Sequence, residues 1–270
     1  MYTRCDFHIH STVSDGSSTI AQLIKKAEQK GLDAIAITDH DTLSHAKQIP
    51  AIPQVVAGIE ISAVHKPSGT AAHILGYNIA QPEIVTKLVQ PVLEERNRIS
   101  EKQAKIIAEL GYDIPLNKLA RGDGKYLYKQ HIMAWLCETG QVEDMFGKFY
   151  KQIFKGNGPC NISIEYPSVF DAVKTIKDAG GLAVLAHPGQ QANFWLIPEL
   201  CKLGLDGLEL NHPSNSKNDK KIIKEYVKEY NLFLTGGSDY HGKHSNHSYD
   251  IGDMLCEPCG IDAILGGLSS

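Results

Sequence analysis

Seven short apolar runs separated by helical patterns constrain this chain most, because few sheet arrangements can accommodate them. The runs are rich in Val, Ile and Leu and do not alternate with polar residues, which is typical of strands buried on both faces. They cover residues 4–8, 34–38, 55–61, 72–77, 182–186, 207–210 and 232–235. Amphipathic helical patterns at 18–30, 168–179 and 218–230 lie between several of them. The alternation predicts an α/β barrel.

Residues 80–165 interrupt this alternation. A long polar helical pattern covers residues 82–110, and further helices are expected at 129–140 and 142–154. We interpret the stretch as an insertion between the fourth and fifth strands. The predicted domains are therefore a barrel formed by residues 1–79 and 166–270, and a helical insertion domain formed by residues 80–165. A short helix with a Gly/Ser tail is expected at 261–270.

The composition narrows the possible functions. A net charge of −4 provides no general attraction to nucleic acid or membranes, and no motif for sequence-specific DNA binding is present. No apolar run reaches about 18 residues, so no transmembrane helix is expected. The polar first residues lack a signal-peptide core, which predicts a cytoplasmic protein with reduced thiols. Cys256 and Cys259 form a single CxxC pair, which cannot close a tetrahedral zinc site alone. The oligomeric state is left open.

Histidine and acidic residues concentrate where the predicted strands end. His8 and His10 have the i, i+2 spacing that directs both imidazoles to one side of a strand. Asp15 follows in a Ser-Asp-Gly turn, and His40 follows the second strand between two aspartates. Because functional groups gather at the carboxyl ends of parallel strands, we expect these side chains to meet.

The later strands repeat this pattern. Glu60 ends a Val/Ile-rich run, and a buried carboxylate needs a partner such as a cation. His73 lies within the fourth strand, and His187 ends the fifth. Asp239 and His241 follow the last strand, again at i, i+2 spacing. The other histidines are expected at the surface or in supporting positions: His45, His65, His131, His244 and His247.

A phosphorylated substrate would also need basic side chains for the oxygens that no metal holds. Arg96 and Arg98 on the first helix of the insertion, and Lys243 beside the last histidine motif, are candidates, with solvated surface charge as the alternative interpretation. His212, just past the sixth strand, is a candidate for the rim of the pocket.

Together these motifs resemble the PHP (polymerase and histidinol phosphatase) phosphoesterases. The resemblance runs in order through His8-x-His10, Ser14-Asp15-Gly16, Thr38-Asp39-His40-Asp41, Gly58-Ile59-Glu60, His187-Pro188 and Gly237-Ser238-Asp239-Tyr240-His241-Gly242. The chain is most similar to the stand-alone branch, whose members hydrolyse nucleotide phosphates such as AMP, 3′,5′-bisphosphonucleosides or the 5′ ends of short oligoribonucleotides. The resemblance implies a distorted (β/α)7 barrel.

The resemblance also implies three divalent cations, which could be Mn, Fe or Zn. The first would be held by His8, His10, Glu60 and Asp239; the second by Asp15, His40 and His241; the third by His73, His187 and Glu60. Three divalent ions and three carboxylates would leave a charge of about +3 for a phosphate. The residues expected to act in catalysis are Asp15, His40, Glu60, His187, Asp239 and His241. In the insertion, His131 is a substrate-binding candidate, although Lys129-Gln130 precede it where relatives usually carry a basic residue and Pro.

The predicted function is metal-dependent hydrolysis of a small phosphorylated substrate, either a nucleotide or a short RNA. Histidinol-phosphate phosphatase is an alternative, and the insertion argues mildly against it. A metal-dependent amidohydrolase also opens with His-x-His, but the Thr-Asp-His-Asp run and Glu60 fit that class poorly. A non-catalytic module that binds metal or nucleotide is the alternative of another class.

Overall fold

The protein, seen in a computed structural model, is described over residues 2–50, 52, 54–245 and 248–266. The strands are β1 (Cys5–Ile9), β2 (Ala34–Ile37), β3 (Val55–Ala57), β4 (Ile59–His65), β5 (Thr70–Tyr77), β6 (Leu182–Leu185), β7 (Gly207–Asn211) and β8 (Phe233–Gly236). The helices are α1 (Ile20–Gln29), α2 (Pro82–Glu109), α3 (Lys129–Glu138), α4 (Lys148–Phe154), α5 (Val169–Asp178), α6 (Pro188–Gln191), α7 (Ile197–Cys201), α8 (Lys217–Tyr230) and α9 (Pro258–Gly266).

The strands form two sheets. One is parallel, in the order β1-β2-β3, and the other is mixed, in the order β4-β5-β6-β7-β8. Within the second sheet β6, β7 and β8 are parallel, whereas β5 is antiparallel to both of its neighbours. The fold is therefore mixed α/β with parallel pairing, as expected, but neither sheet closes on itself as a barrel would.

The third apolar run, expected as one strand over 55–61, divides at Gly58. Residues before it pair in parallel with β2, and residues after it pair with β5. A Cβ at Gly58 would lie only 2.9 Å from Cγ2 of Thr38 and 3.0 Å from the Gly76 carbonyl, so glycine permits this close approach. Four residues connect β4 to β5, which enforces an antiparallel hairpin because a parallel return requires a longer crossover.

The two sheets contact each other at two places. A parallel bridge joins Ile9 to Tyr240, and the His10 amide donates to the Tyr240 carbonyl at 2.9 Å. A second parallel bridge joins His40 to Glu60. These contacts bring the ends of β1, β2 and β8 and the start of β4 to one region of the fold, although no continuous ladder joins the sheets within the described residues.

Most predicted helices form close to their expected bounds. Thr19 caps α1 through a reciprocal pair of hydrogen bonds with Gln22, of 3.3 and 2.8 Å. The helix expected at 142–154 is shorter, because only Lys148–Phe154 is helical. The Asp144 carboxylate accepts from the Phe146 amide at 3.0 Å, and such a local bond competes with a helix start. The Gly/Ser tail after α9 lies outside the described residues.

Separate apolar clusters lie under the sheets and within the helical region. The largest packs β4, β5 and β6 against α5, α7 and α8. The helical region, residues 80–165 between β5 and α5, has its own apolar cluster, which includes Ile107, Leu136 and Phe154. Across the part of the chain that the structure describes, no helix combines the length and the apolar character needed to cross a membrane.

Replacing Gly237 by alanine should destabilise the junction between β8 and β1. Its Cβ would collide with the backbone nitrogen and the Cβ of His8, which are held in a strand and cannot move independently. We expect a loss of about 2 kcal/mol in the free energy of unfolding, as for other overpacked positions. Urea denaturation of Gly237→Ala measures it. Gly266→Ala, where no atom lies within 4 Å of the added methyl, is the matched control, and equal stability of both variants would contradict this account.

Candidate metal centre

The nine residues predicted as metal ligands converge in one region. His8 belongs to β1, Glu60 to β4 and His73 to β5, while the others follow the carboxyl ends of strands or lie in the turn after β1. His8, His10, Asp15, Glu60 and His187 are at most 1% exposed. Their convergence follows from the meeting of the two sheets, which places strand ends distant in sequence side by side.

The Glu60 carboxylate is the centre of the cluster. Its Oε2 lies 3.2 to 3.3 Å from ring nitrogens of His8, His10 and His40. Its Oε1 lies 2.7 Å from Nδ1 of His73 and 2.9 Å from Nε2 of His187. One buried carboxylate thus faces five imidazoles. Hydrogen bonds to this one carboxylate do not satisfy all five imidazoles.

Several of these atoms have no hydrogen-bond partner although they are buried. They include Nε2 of His8, both ring nitrogens of His10, Nδ1 of His40, Oε2 of Glu60 and Oδ1 of Asp239. An unpaired buried polar atom is costly, whereas a divalent cation would be coordinated by imidazole nitrogens and carboxylate oxygens together. The donor set therefore fits metal ions.

Potential ligand atoms fall into overlapping groups whose members all lie within 4.8 Å of one another. One group is the set expected for the first cation: His8, His10, Glu60 and Asp239. A second contains the three residues expected for the second cation, together with His10: Asp15, His40, His241 and His10. A third joins His40, Glu60 and His73, whereas His187 groups instead with His8, Glu209 and His212. The assignment of particular ligands to particular cations stays a prediction.

The pKa shifts of Glu60 and His40 favour the protonation states in which these two side chains bind a metal. Burial would raise the pKa of the Glu60 carboxyl, but the imidazoles around it, led by His40 and His73, hold that pKa well below its usual value. Burial lowers the pKa of His40 to about 3, against the opposing effect of Glu60 and Asp15. At neutral pH the carboxylate is ionised and the His40 ring is neutral, which are the forms that coordinate a metal.

Glu209 on β7 supports the cluster from behind and was not predicted as a site residue. Its Oε1 lies 2.9 Å from Nδ1 of His8, and its Oε2 accepts from the His187 amide at 2.8 Å. A hydrogen bond at Nδ1 leaves Nε2 of His8 directed at Glu60, and such carboxylate–imidazole pairs commonly orient metal-binding histidines. The available signal was a carboxylate inside an apolar strand, as at Glu60.

Asp39 fixes the loop that carries Asp15, which is a second role that the sequence did not reveal. It accepts from the Ser11 amide and hydroxyl, at 2.8 and 2.7 Å, and from the Ser14 hydroxyl at 2.6 Å. His45, expected at the surface or in a supporting position, is fully buried with its Nδ1 3.3 Å from Asp39. The loop after β1 is thus anchored beneath the cluster.

Three residues in this region have an unfavourable backbone conformation. Asp41, His187 and Asp239 have φ values of 57°, 27° and 52°, in the left-handed region that favours glycine. Residues in such conformations persist where the surrounding structure holds them, and they are frequent at functional sites. Here they turn the chain at the ends of β2, β6 and β8.

A cleft of about 580 Å³ opens above the cluster. One wall consists of the candidate ligands, and the other comes from residues 129–166 of the helical region. Nε2 of Gln130 donates to Oδ2 of Asp15 at 2.7 Å, which ties the start of α3 to the cluster. The volume suits a small ligand.

Only one of the five predicted substrate-binding residues lines this cleft. Arg96 does so, with its guanidinium donating to Asp41 at 2.6 Å and to Ser62 at 3.1 Å. Arg98 lies on the exposed surface, paired with Glu95 at 2.6 Å, because it follows Arg96 by two positions and points to another side of α2. Lys243 is also outside the cleft lining.

The two histidines proposed for substrate binding are buried instead of lining the cleft. His131 is 4% exposed and accepts from the Tyr128 amide at 3.2 Å, at the start of α3. His212, expected at the rim, is 2% exposed with its Nε2 3.3 Å from Oδ2 of Asp239. Among the remaining histidines, His244 lines the cleft and His65 lies at the far end of β4, while His247 is outside the described residues.

Comparisons with known proteins agree with this geometry. Residues 6–179 match the family model of the PHP domain. The chain is 39% identical to the phosphoribosyl 1,2-cyclic phosphate 1,2-diphosphodiesterase of Eggerthella lenta, over 88% of this chain and 94% of that protein. It is 28% identical to a 5′-3′ exoribonuclease of Haemophilus influenzae, over 89% and 91%. It is also 28% identical to a 3′,5′-nucleoside bisphosphate phosphatase of Chromobacterium violaceum, over 94% of each chain.

A solved structure has the same overall arrangement. A protein of Bifidobacterium adolescentis, assigned as a metal-dependent phosphoesterase, superimposes with a TM-score of 0.84 and 25% sequence identity. The match covers 97% of this chain and 95% of that one. Both sheets and the helical region between β5 and β6 therefore lie within the shared fold.

Replacing Glu209 by glutamine should weaken metal binding without removing a predicted ligand. The amide is a weaker acceptor for the His8 ring, so the orientation of Nε2 would be less well held. We expect the affinity for Mn²⁺ to fall by roughly 10- to 100-fold, as for other supporting carboxylates. Competition with a chelator of known affinity measures it. Glu138→Gln, at the exposed end of α3, is the control, and unchanged affinity in Glu209→Gln would contradict the role.

Proposed function

The chain belongs to the PHP domain family, and we propose that it hydrolyses phosphate esters carried on ribose, using divalent cations held around Glu60. The observation that carries this proposal is the single buried carboxylate faced by five imidazoles, with several buried ring nitrogens that make no hydrogen bond. This arrangement is costly as a purely structural device and suits a cluster of cations.

We propose three cations, each Mn, Fe or Zn, with Glu60 shared between two of them. The proposed ligands are His8, His10, Asp15, His40, Glu60, His73, His187, Asp239 and His241. Support comes from one group of ligand atoms that equals the set expected for the first cation, and from a second group that contains the set expected for the second cation together with His10. When bound, such cations stabilise the charge on phosphoryl oxygens and acidify a water molecule.

Other residues of the chain would then hold the metal ligands in place and contact the substrate. Glu209 holds the His8 ring, and Asp39 holds the loop of Asp15. Gln130 donates to Asp15 from the opposite wall of the cleft. Arg96 is retained at the wall by Asp41 and can contact a phosphoryl oxygen through the remaining donors of its guanidinium. Residues fixed in this way lose little freedom when a substrate binds.

The names of the relatives support a phosphorylated ribose as substrate. A phosphoribosyl cyclic phosphate, RNA and a nucleoside bisphosphate all carry phosphate on ribose. The cleft of about 580 Å³ accommodates a ligand of nucleotide size. A cyclic phosphate joins the nucleotides and short RNA as a candidate because the relative with 39% identity is named for that substrate.

We also propose that the two sheets together form a distorted (β/α)7 barrel, with residues 80–165 as a helical insertion domain. The bridges from Ile9 to Tyr240 and from His40 to Glu60 support the first part, since they lie where such a barrel would close. The separate apolar cluster of the helical region supports the second.

A substrate panel with Mn²⁺ tests the function. It contains phosphoribosyl 1,2-cyclic phosphate, adenosine 3′,5′-bisphosphate, AMP, a 5′-phosphorylated oligoribonucleotide and histidinol phosphate. Turnover of one of the ribose phosphates is expected. In the double variant Glu60→Ala, Asp239→Ala, the rate should fall by more than about 10³-fold, because the positive charge at the reacting phosphate is lost.

The control for that loss is the double variant Glu138→Ala, Asp178→Ala, which removes two exposed carboxylates outside the cleft. Retained turnover in Glu60→Ala, Asp239→Ala would refute the proposed centre. Turnover of histidinol phosphate alone would favour the alternative phosphatase. Stoichiometric metal binding without hydrolysis of any ester would favour a binding module.

Metal removal should lower stability as well as activity. The unpaired buried ring nitrogens and the oxygens of Glu60 and Asp239 gain partners when a cation binds. Binding of one cation at 100 times its dissociation constant adds about 2.7 kcal/mol, which for a chain of this size raises the melting temperature by roughly 5 °C or more. Thermal unfolding of chelator-treated protein, before and after addition of Mn²⁺, measures this. Glu60→Ala should show a smaller rise, and an unchanged melting temperature of the unaltered protein would contradict the account.

A further inference from the structure

Two cysteines that the proposed function does not use lie together at the start of α9. Cys256 comes just before this helix, and Cys259 is its second residue, so the CxxC motif spans the entry into the helix. Both thiols are free in the structure, and neither lines the cleft above the metal centre. A pair of thiols at this spacing can react with each other as well as with an external reagent.

Both sulfurs contact the same backbone carbonyl. Sγ of Cys256 lies 3.8 Å from the carbonyl oxygen of Leu234 on β8, and Sγ of Cys259 lies 3.9 Å from the same oxygen. The residue after Cys259 is Gly260, where an added Cβ would lie only 2.8 Å from Sγ of Cys256. The first turn of α9 therefore packs directly on both the Cys256 thiol and β8. The two thiols share one location, which is the first requirement for joining them.

The two thiols differ in their access to solvent. Cys259 is exposed, whereas Cys256 is only 5% exposed. Burial raises the pKa of the Cys256 thiol, and a protonated thiol away from solvent does not react with solutes. Sγ of Cys259 accepts from the Leu234 amide at 3.3 Å, which fixes the exposed sulfur beside the buried one. A reagent in solution therefore meets Cys259 first, and Cys256 reacts only through it.

A surface depression of about 570 Å³ surrounds the Cys259 side chain. It lies at the amino ends of β6 and β8, which begin with Leu182 and Phe233, while the metal centre lies at the opposite ends of these strands. The other residues of its lining are Leu205, Asp206, Tyr230, Asn231, Leu232 and Ala263. The volume suits a small molecule, and the depression shares no lining residue with the cleft above the metal centre.

We propose that Cys259 and Cys256 form a redox-active pair that reacts with small disulfides entering this depression. The sulfur of Cys259 attacks one sulfur of the small disulfide and breaks its S–S bond. One small thiol leaves with the proton that Cys259 gives up, and the other half stays on Cys259 as a mixed disulfide.

The second step closes the pair. The sulfur of Cys256 attacks the sulfur of Cys259, and the second small thiol leaves with the proton from Cys256. The two protein thiols are thereby oxidised to one disulfide, and the small disulfide is reduced to two thiols. Because both sulfurs are held at Leu234, this step proceeds at an effective concentration on the order of millimolar or more, and the mixed disulfide is short-lived.

Mass mapping of the full-length protein tests this assignment. The reduced protein is incubated with glutathione disulfide, free thiols are then alkylated, and the digested peptides are analysed by mass spectrometry. We expect the peptide that contains both cysteines to lack two hydrogen atoms and to carry no alkyl group, and excess glutathione should restore the thiols.

Single substitutions separate the two roles. In Cys256→Ser the same treatment should leave glutathione attached to Cys259, because the second sulfur is missing. In Cys259→Ser the reaction of Cys256 should slow by more than about 100-fold, since the remaining thiol is buried. Cys137→Ser, which removes a half-buried thiol of α3, is the matched control and should form the disulfide at the unaltered rate. Thermal unfolding of each variant shows whether its fold is retained.

The result for the unaltered protein needs no substitution and decides the proposal by itself. A mixed disulfide that persists on Cys259 would overturn the pair, and no reaction of Cys259 would overturn the site. A disulfide from Cys256 to Cys5, whose carbonyl accepts from the Cys256 amide at 2.8 Å, would overturn the assignment of the partner. The proposed function stands or falls independently, because no residue of the metal centre takes part.

Discussion

The buried carboxylate of Glu60 is the constraint on which the rest of this structure depends. Five imidazoles face this carboxylate, which is itself only 1% exposed. Such a group of polar side chains is unfavourable without additional partners, so the surrounding fold must hold it in place. Strand ends from both sheets hold these side chains in place. The chain turns there through left-handed backbone conformations at Asp41, His187 and Asp239.

Neighbouring residues fix the orientation of the side chains in this cluster. Glu209 fixes a ring nitrogen of His8, and Asp39 fixes the loop carrying Asp15 through three hydrogen bonds. Neither residue faces the cleft. Both act through the orientation of other groups, which is why their replacement should alter metal affinity more than overall stability.

The helical region between β5 and β6 contributes the opposite wall of the cleft. Its apolar cluster gives it an internal core, and Gln130 brings its third helix into contact with the metal centre. This division assigns different tasks to two parts of the chain. The strand ends carry the candidate metal ligands, and the helical region forms the facing wall of the cleft. Variation in that wall can change the substrate while the centre stays the same.

The sequence by itself determined the parts of the protein that depend on local pattern. Apolar runs located the strands, and helical spacing located α1, α5 and α8. Histidines and carboxylates near strand ends pointed to side chains that the structure brings together, because residues at the carboxyl ends of neighbouring strands lie close to one another. The tertiary structure decided what depends on contacts between distant segments. Gly58 divides a run that reads as one strand, and a short hairpin reverses β5. In the sequence, nothing distinguishes Glu209 from other charged residues of strands, and only its contact with the His8 ring reveals its role. Arg96 and Arg98 are alike in the sequence, but they point to different sides of α2. Burial and direction arise from packing across the chain, which no local pattern contains.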